Sequence, residues 1–367
     1  MAAPLAIAPI PSQVTAILGT LLDPYLDQDL VKAKIVHDVT IIEQQITIKL
    51  VYPYPVLRRI PELKQTITAL LQSHWPTYQV SLDIHAKIRH HRVQKALKPK
   101  SVIKNIIAVA SGKGGVGKST VAVNLAVALS ELGASVALLD ADIYGPSQPR
   151  MLGKRGSHAI TSEKKLVPIK SFGIQSISMG YLVEEQTPMI WRGPMVSSAL
   201  QQLLNDTTWE PCDYMIIDLP PGTGDIQLTM AQKIPISGAV VVTTPQDIAL
   251  LDAQKAYQMF AKIEVPVLGV VENMSWHICA NCGHHSTIFG SGGGEKMAAD
   301  YGIPLLGKLP LDPKVREQGD LGVPIVMSDP NHERVLPYWE LAERVAARLA
   351  LREVDYSAVM PEIIVHS

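Results

Sequence analysis

Three features that define common protein classes are scarce in this sequence: cysteine, long apolar runs and an excess of charge of one sign. Only 3 of the 367 residues are cysteine, too few for the disulfide framework of a small secreted domain. Apolar residues make up 47% of the chain, but no run approaches the roughly 18 residues that cross a bilayer. The formal net charge of −1 gives no general attraction to anionic lipid or nucleic acid, so we expect neither a membrane nor a nucleic-acid partner.

The first residues also lack the marks of a secretory signal. The segment 1–12 is apolar but has no basic start, and Pro4, Pro9 and Pro11 interrupt it. The few cysteines are typical of a reducing compartment, where a C-x-x-C pair serves a metal or a redox site. The expected location is therefore the cytoplasm.

The most informative stretch is a nonapeptide that matches the pattern G-x-x-x-x-G-K-S/T. It consists of Gly112, Lys113, Gly114, Gly115, Val116, Gly117, Lys118, Ser119 and Thr120. The apolar run 105–111 before it is typical of a buried parallel strand, and 121–132 after it is typical of a helix. The backbone N–H groups of such a loop surround nucleotide phosphates, Lys118 reaches the β- and γ-phosphates, and the Ser119 hydroxyl binds Mg²⁺. The pattern predicts that this chain binds ATP or another nucleoside triphosphate with Mg²⁺.

Two aspartates follow apolar strands downstream of this loop. Asp142 ends the segment 136–142, and Asp218 ends the segment 214–218. Carboxylates at strand ends suit this chemistry because Mg²⁺ takes one or two of them alongside substrate phosphates. We assign Asp218 to the Mg²⁺ shell and Asp142 to the orientation of the hydrolytic water. The alternative is that both carboxylates only cap turns.

A second candidate site is the C-x-x-C pair formed by Cys279 and Cys282, which His284 and His285 follow. Two thiolates reach one metal, but a Cys₄ site needs a second pair, and Cys212 stands alone before a core strand. Two chains that each contribute the pair would complete a site for a four-iron four-sulfur cluster or, equally well, for zinc. A one-chain site completed by the histidines, a thioredoxin-like redox role and unligated thiols stay open as alternatives.

The chain divides into a small domain and a larger one. Residues 1–87 follow the order helix–strand–strand–helix–strand of a small α+β domain. Residues 88–104 are interpreted as a basic, solvated linker, and binding of an acidic partner or nucleic acid is the alternative. From 105 to 352, strands alternate with helices, which predicts an α/β domain with a doubly wound, mostly parallel sheet that binds ligands at its carboxyl edge. Residues 353–367 are a C-terminal tail. Strands are predicted at 31–42, 45–52, 78–88, 106–111, 135–140, 213–218, 238–243, 266–272 and 304–309, with helices at 14–22, 61–74, 121–132, 249–263 and 332–351.

In combination, these motifs resemble a known family. The phosphate loop with Lys113 resembles the deviant loop of dimeric P-loop ATPases such as MinD, ParA and the nitrogenase iron protein. Within that class the chain resembles the Mrp/ApbC iron–sulfur cluster carriers over roughly residues 100–350. The matching segments are 140–147, 191–195, 218–225, 272–275 and the C-x-x-C pair after them.

The resemblance implies a homodimer with ATP between its subunits and a four-iron four-sulfur cluster bridged by Cys279 and Cys282 of both. It implies that Lys113 reaches across to the other subunit's nucleotide and stabilises the leaving phosphate, and that Asn273 contacts the adenine base. With Lys118 and Asp142, Lys113 completes the catalytic set. The implied function is an ATP-hydrolysing carrier or scaffold that passes a cluster to apo-proteins. Its partners would be apo iron–sulfur proteins and cluster-assembly scaffolds.

The N-terminal domain is similar to the small iron–sulfur-assembly domain that is often fused to these ATPases. Its segment 23–26 departs from the D-P-E-L signature at Tyr25, and no cysteine follows the second strand, so we interpret it as an interaction module. Two other functions stay open: a MinD- or ParA-like positioning ATPase, and an ATPase whose dimer is held by a structural zinc. No Lys or Arg follows Arg352, unlike the basic helix that docks on a membrane.

Overall fold

The structure is a computed structural model that describes residues 8–95, 97–154, 165–182, 193–279 and 281–356. Trp191 and Arg192, which belong to one of the motifs named above, lie outside the described residues, and so does 357–367 of the predicted tail. Among the helices of the described residues, none is long and apolar enough to cross a membrane.

The N-terminal part is a three-stranded sheet with two helices packed on one face. The sheet order is β3-β4-β5, in which β3 is antiparallel and β5 parallel to the central strand. Strand β4 alternates between exposed and buried residues, and its buried Ile46, Ile48 and Leu50 belong to the core. The predicted small α+β domain is confirmed. Its elements are α1 (Pro11–Leu18), β1 (Leu22–Asp23), β2 (Gln28–Asp29), β3 (Val36–Ile42), β4 (Gln45–Tyr52), α2 (Ile60–His74) and β5 (Gln79–Ala86).

The predicted strand 31–42 is wrong in its first part, because β3 begins only at Val36. The carboxylate of Asp29 accepts the backbone N–H groups of Val31 and Lys32, at 3.1 and 2.8 Å. An Asp that accepts these N–H groups holds the chain in a turn, which competes with a strand ladder.

The larger part is a doubly wound sheet with helices on both faces. The strand order is β8-β9-β7-β10-β6-β11-β12, and β13 and β14 both pair with β12. All pairings are parallel except the edge hairpin β8–β9 and the short pairing of β12 with β13. The predicted fold class is therefore confirmed. The elements are β6 (Ile103–Ala110), α3 (Lys118–Glu131), β7 (Val136–Asp140), α4 (Gln148–Met151), β8 (Ile169–Ser171), β9 (Ile174–Ser178), α5 (Gly193–Asn205), β10 (Cys212–Asp218), α6 (Asp225–Lys233), β11 (Gly238–Thr243), α7 (Asp247–Lys262), β12 (Val267–Ile278), β13 (His285–Ser286), α8 (Gly293–Tyr301), β14 (Leu305–Pro310), α9 (Pro313–Leu321), α10 (Ile325–Ser328) and α11 (Leu336–Ala350).

The hairpin of β8 and β9 was not predicted from the sequence. Strand β9 is buried along its whole length although it contains Gln175, Ser176 and Ser178. The Gln175 side chain exchanges two hydrogen bonds with the backbone of Glu210, at 2.9 and 3.0 Å. Such partners satisfy the polar groups and allow them to be buried. The strand therefore does not show the apolar run by which the other core strands are recognised.

The segment 88–104 is packed against the larger domain, so the solvated linker expected here is wrong at two positions. His91 and Gln94 are 3% and 8% exposed. The backbone N–H of His91 donates to Asn105 Oδ1 at 3.0 Å, and Gln94 Nε2 donates to the carbonyl of Ala231 at 3.0 Å. These contacts attach the segment to the start of β6 and to the end of α6.

The N-terminal domain packs on the face of the larger domain that carries α3 and α11, and the two share one hydrophobic core. The backbone N–H of Leu57 donates to the carbonyl of Leu132 at 3.0 Å. The guanidinium of Arg58 lies 4.1 Å from the ring centroid of Trp339 on α11, a cation–π contact.

A buried polar network lies in the same interface. Arg59 donates to the Tyr54 hydroxyl at 2.7 Å and to Asp23 Oδ2 at 3.3 Å, and its guanidinium lies 5.1 Å from the Tyr25 ring. The Tyr25 hydroxyl lies close enough to the Glu343 carboxylate of α11 for each group to shift the pKa of the other. The residue that departs from the D-P-E-L signature therefore contacts the larger domain.

Candidate nucleotide and thiolate sites

The phosphate loop connects β6 to α3. Gly117 has a φ of +80°, which residues with a side chain rarely adopt. A Cβ on Gly117 would collide with the Asn273 amide, and one on Gly112 with the backbone of Asp252. Helix α3 begins at Lys118, and its N-cap Gly117 offers no side-chain oxygen, so the N–H groups of the first turn can bind phosphate oxygens. The loop therefore fits the phosphates of a nucleotide.

Three carboxylates meet beside this loop at the carboxyl ends of two adjacent strands. Asp140 of β7 and Asp218 of β10 are register partners and are 1% and 0% exposed. The Lys118 ammonium contacts Asp218 Oδ1 and lies 4.0 Å from Asp142 Oδ2. The structure thus brings together Lys118, Asp142 and Asp218, as the sequence predicted. The Lys113 ammonium forms no ion pair with any residue that the structure describes.

The surroundings of these carboxylates shift their proton affinities. Burial raises the pKa of Asp142, whereas the nearby Lys118 ammonium opposes that shift. Burial and the charge of Asp218 raise the pKa of Asp140 to about 7, against hydrogen bonds from the Gln148 N–H and the Ser178 hydroxyl. A carboxylate with a raised pKa accepts a proton more readily near neutral pH, which suits Asp142 to orienting an attacking water.

One residue of this site was not identified from the sequence. The Gln148 side chain donates to Asp218 Oδ2 at 2.8 Å and to the carbonyl of Ser119 at 3.1 Å. Its backbone N–H donates to Asp140 Oδ2 at 3.2 Å, and it is 1% exposed. Gln148 therefore joins both buried carboxylates to the start of α3. In the sequence, the only indication of this role is that Gln148 directly follows the motif 140–147.

A cavity of about 290 Å³ opens next to the loop, lined by Gly117, Thr120, Asn273, Leu311 and Val315 among others. Asn273 Nδ2 donates to the carbonyl of Val116 at 2.9 Å. Apolar walls with a few polar groups are typical of small-ligand sites. The cavity has the character expected for the base of a nucleotide, and Asn273 lines it.

The C-x-x-C pair lies in the loop between β12 and β13 rather than at the start of a helix. Backbone N–H groups of Cys282 and Asn281 donate to the Cys279 sulfur and lower the pKa of this thiol, which favours the thiolate that ligates metals. The Cys279 N–H donates to the carbonyl of His284 at 3.0 Å. In the part of the chain that the structure describes, no three His, Cys, Asp or Glu side chains form a metal-binding cluster.

Cys212 has the opposite character. It is 2% exposed, and burial raises the pKa of its thiol to about 12. The prediction that Cys212 is a buried core residue is confirmed.

One strand connects the two sites. Asn273 and Cys279 lie on β12 and directly after its end, and an extended strand rises about 3.3 Å per residue, so at most roughly 20 Å separates them. The roles of the individual site residues, Lys113 included, stay predictions.

A phosphate loop after the first strand of a doubly wound parallel sheet, with aspartates at two neighbouring strand ends, defines a P-loop nucleoside triphosphatase. Residues 102–346 match the family model described as NUBPL iron-transfer P-loop NTPase, and residues 11–82 match the model of an iron-sulfur cluster assembly protein. The chain belongs to the NUBPL iron-transfer P-loop NTPase family, which confirms the predicted resemblance.

Similar proteins agree with this assignment. The iron-sulfur cluster carrier protein of Escherichia coli K12 is 48% identical over 339 residues, which are 92% of each chain. A nucleotide-binding protein from Archaeoglobus fulgidus, solved in complex with ADP, is 36% identical with a TM-score of 0.54 over 65% of this chain and 90% of that one. The cell division ATPase MinD of Pyrococcus furiosus is 23% identical with a TM-score of 0.50 over 66% of this chain and 98% of that one, and shows the same fold.

Proposed function

We propose that this protein is an ATP-hydrolysing iron–sulfur cluster carrier that binds a four-iron four-sulfur cluster between two copies of the chain. The family and the name of the E. coli relative support this proposal. The observation that carries it is the Cys279 thiolate environment, which lies at the end of the strand whose Asn273 contacts the phosphate loop. Because each chain offers one C-x-x-C pair, two copies supply the four thiolates that such a cluster needs.

The nucleotide site supplies the hydrolysis. Lys118 would exchange its contact with Asp218 for the β- and γ-phosphates, and Asp142 would orient the attacking water. The Ser119 hydroxyl and the Asp218 carboxylate would hold Mg²⁺, whose charge balances that of the phosphates. Lys113, which has no ion-pair partner among the described residues, would reach the nucleotide of the second copy and stabilise the leaving phosphate.

The two sites are coupled through β12. The Asn273 side chain donates to the carbonyl of Val116 in the loop, so a rearrangement of the loop on ATP binding would act on the strand that leads to Cys279. Each ligand then changes the affinity for the other by the same factor. The recipients would be apo iron–sulfur proteins, and the donors cluster-assembly scaffolds. We place this work in the cytoplasm, because free thiols persist in a reducing compartment.

Anaerobic reconstitution with iron and sulfide tests the cluster site. Wild type, Cys279→Ala and Cys282→Ala are compared by metal content, visible absorbance and dimer fraction, with Cys212→Ala as the matched control. We expect a brown dimer with about four irons per two chains, retained in the control and lost in the two other variants. A colourless protein that holds zinc at the same cysteines would leave the ATPase in place and refute the carrier function.

A second experiment tests the coupling. Transfer of the cluster to an apo-ferredoxin is timed with and without MgATP, in wild type and in Lys113→Ala. We expect MgATP to change the transfer rate in wild type and to have a smaller effect in the variant. Equal rates in all four reactions would show that nucleotide and cluster act independently.

A further inference from the structure

A second cavity lies where the N-terminal domain meets the end of α11, and it shares no lining residue with the nucleotide cavity. Its volume is about 360 Å³, within the range of small-ligand sites. The buried Leu26 and Tyr52 line it from the N-terminal domain and the buried His91 from the segment 88–104, and Leu351 and Val354 line it from the residues after α11. A ligand in this cavity would therefore contact both domains.

The charged side chains around this cavity are cationic, and we call it the cationic cavity. It is lined by Lys32, Lys34, Lys49, Lys87 and Arg89, and, within the described part of the chain, by no Asp or Glu. Lys32 pairs with Asp29 at 3.1 Å. The other four form no ion pair with a described residue.

The sheet of the N-terminal domain explains how these cations come together. Side chains alternate between the faces of a strand, so Lys49 and Val51 lie on the face of β4 opposite the helices. On the parallel neighbour β5, His85 is the register partner of Val51, and Lys87 follows at the end of the strand. The same alternation that buries the core thus places Lys49 and Lys87 on one face, and Lys32, Lys34 and Arg89 reach the cavity from connecting segments.

Two aspartates lie on the same face of the sheet and offset part of the charge of Lys49. Asp38 and Asp83 are the register partners of Lys49 on the two neighbouring strands. Asp38 accepts from the Thr40 hydroxyl at 3.2 Å, and Asp83 lies 3.6 Å from His85. Neither aspartate lines the cavity. Like charges around one concave site repel one another, and a bound anion relieves that repulsion.

We propose that the cationic cavity binds a small molecule through a multivalent phosphate group. Five cationic side chains line one concavity, which suits a compact anion of high charge better than a flat protein surface. The apolar side chains of Leu26, Leu351 and Val354 also line the cavity and would contact the uncharged part of the ligand. Because α11 packs on α3, the helix of the phosphate loop, such a ligand also stabilises the docking of the N-terminal domain on the ATPase core. The proposal does not depend on the carrier function.

Inorganic pyrophosphate is the probe that tests this site. The full chain is first saturated with MgADP, which occupies the phosphate loop, and is then titrated with pyrophosphate in a calorimeter. We expect one saturable site per chain, whose affinity falls as salt is added because the contacts are ionic. In Lys49→Gln/Lys87→Gln the affinity should fall at least tenfold. The double variant Lys64→Gln/Lys262→Gln removes the same charge away from the cavity and should bind like wild type.

Three results would overturn the proposal. The first is the absence of saturable binding to the MgADP-saturated wild type. The second is an equal loss of affinity in the control variant, which would mean that net charge alone governs binding. The third is equal binding of citrate, which would show that the cavity does not prefer phosphate over carboxylate. Circular dichroism melting of both double variants verifies that each is folded.

Discussion

Replacing Lys118 with alanine should destabilise the protein as well as abolish phosphate binding. The Lys118 ammonium contacts the fully buried Asp218 and lies 4.0 Å from Asp142, whose side chain is 13% exposed. Asp140 lies in register beside Asp218. The variant would therefore leave three neighbouring carboxylates without their cation. Breaking a buried ion pair by removing one partner typically costs about 3–5 kcal/mol.

The Gln148 amide still donates to Asp218 at 2.8 Å, so we expect the lower end of that range. A loss of about 3 kcal/mol lowers the melting temperature of a domain of this size by roughly 6–12 °C. The loss of stability caused by Lys118→Ala should become smaller as the pH falls from 8 to 5, because burial raises the pKa values of Asp140 and Asp142 and these carboxylates become protonated more readily. A folded-state pKa above the unfolded value makes the folded state lose stability as the pH rises.

Thermal unfolding without nucleotide measures this effect, with two further variants as controls. Asp218→Asn in the Lys118→Ala background removes the unpaired charge and should recover most of the lost stability. Lys113→Ala changes the neighbouring loop lysine, which pairs with no described residue, and should stay within about 0.5 kcal/mol of wild type. A wild-type melting temperature for Lys118→Ala, or no recovery in the double variant, would refute the reasoning.

Three further outcomes follow from buried groups. Gln148→Ala removes the donor of two hydrogen bonds and should cost about 1–3 kcal/mol in denaturant unfolding. Burial raises the pKa of Glu343 above its usual 4.5. The ionisation of Glu343 therefore lowers the stability of the folded state as the pH rises from 4.5 to the raised pKa. Glu343→Gln should therefore melt higher than wild type at pH 8 and no higher at pH 4. N-ethylmaleimide at pH 7.5 should modify Cys279 and Cys282 in the native protein and Cys212 only after unfolding, as mass spectrometry would show.

Each of these outcomes has a matched control or a contrary result. Gln202→Ala changes an exposed glutamine of α5 and should leave stability unchanged. An equal loss of stability in this variant would show that the buried hydrogen bonds of Gln148 are not the cause. A lower melting temperature of Glu343→Gln at pH 8 would mean that the ionised carboxylate stabilises the interface. Labelling of Cys212 at the rate of Cys279 would contradict its burial.

The strands that form the core of the larger domain could be predicted because each is a short apolar run, and β6, β10 and β11 begin within three residues of the expected positions. Strand β9 could not be predicted, because it contains a glutamine and two serines. These residues are compatible with a buried strand only with hydrogen-bond partners such as the Glu210 backbone, which pairs with Gln175. Gln148 escaped for a similar reason. Gln148 lies in the short helix α4, and its role became visible only when the structure showed its side chain donating to Asp218 at the end of β10.

The phosphate loop, the acidic strand ends and the C-x-x-C pair were determined by the sequence alone. Each depends on local properties: the positive φ that glycine permits, the period of an apolar strand and the spacing of two thiols. Only the tertiary structure decided which distant groups meet. It brings Lys118 to Asp218, Tyr25 close to Glu343, and around the cavity between the domains four cations that pair with no described residue. Such contacts arise when packing brings separate segments together, and no local pattern records them.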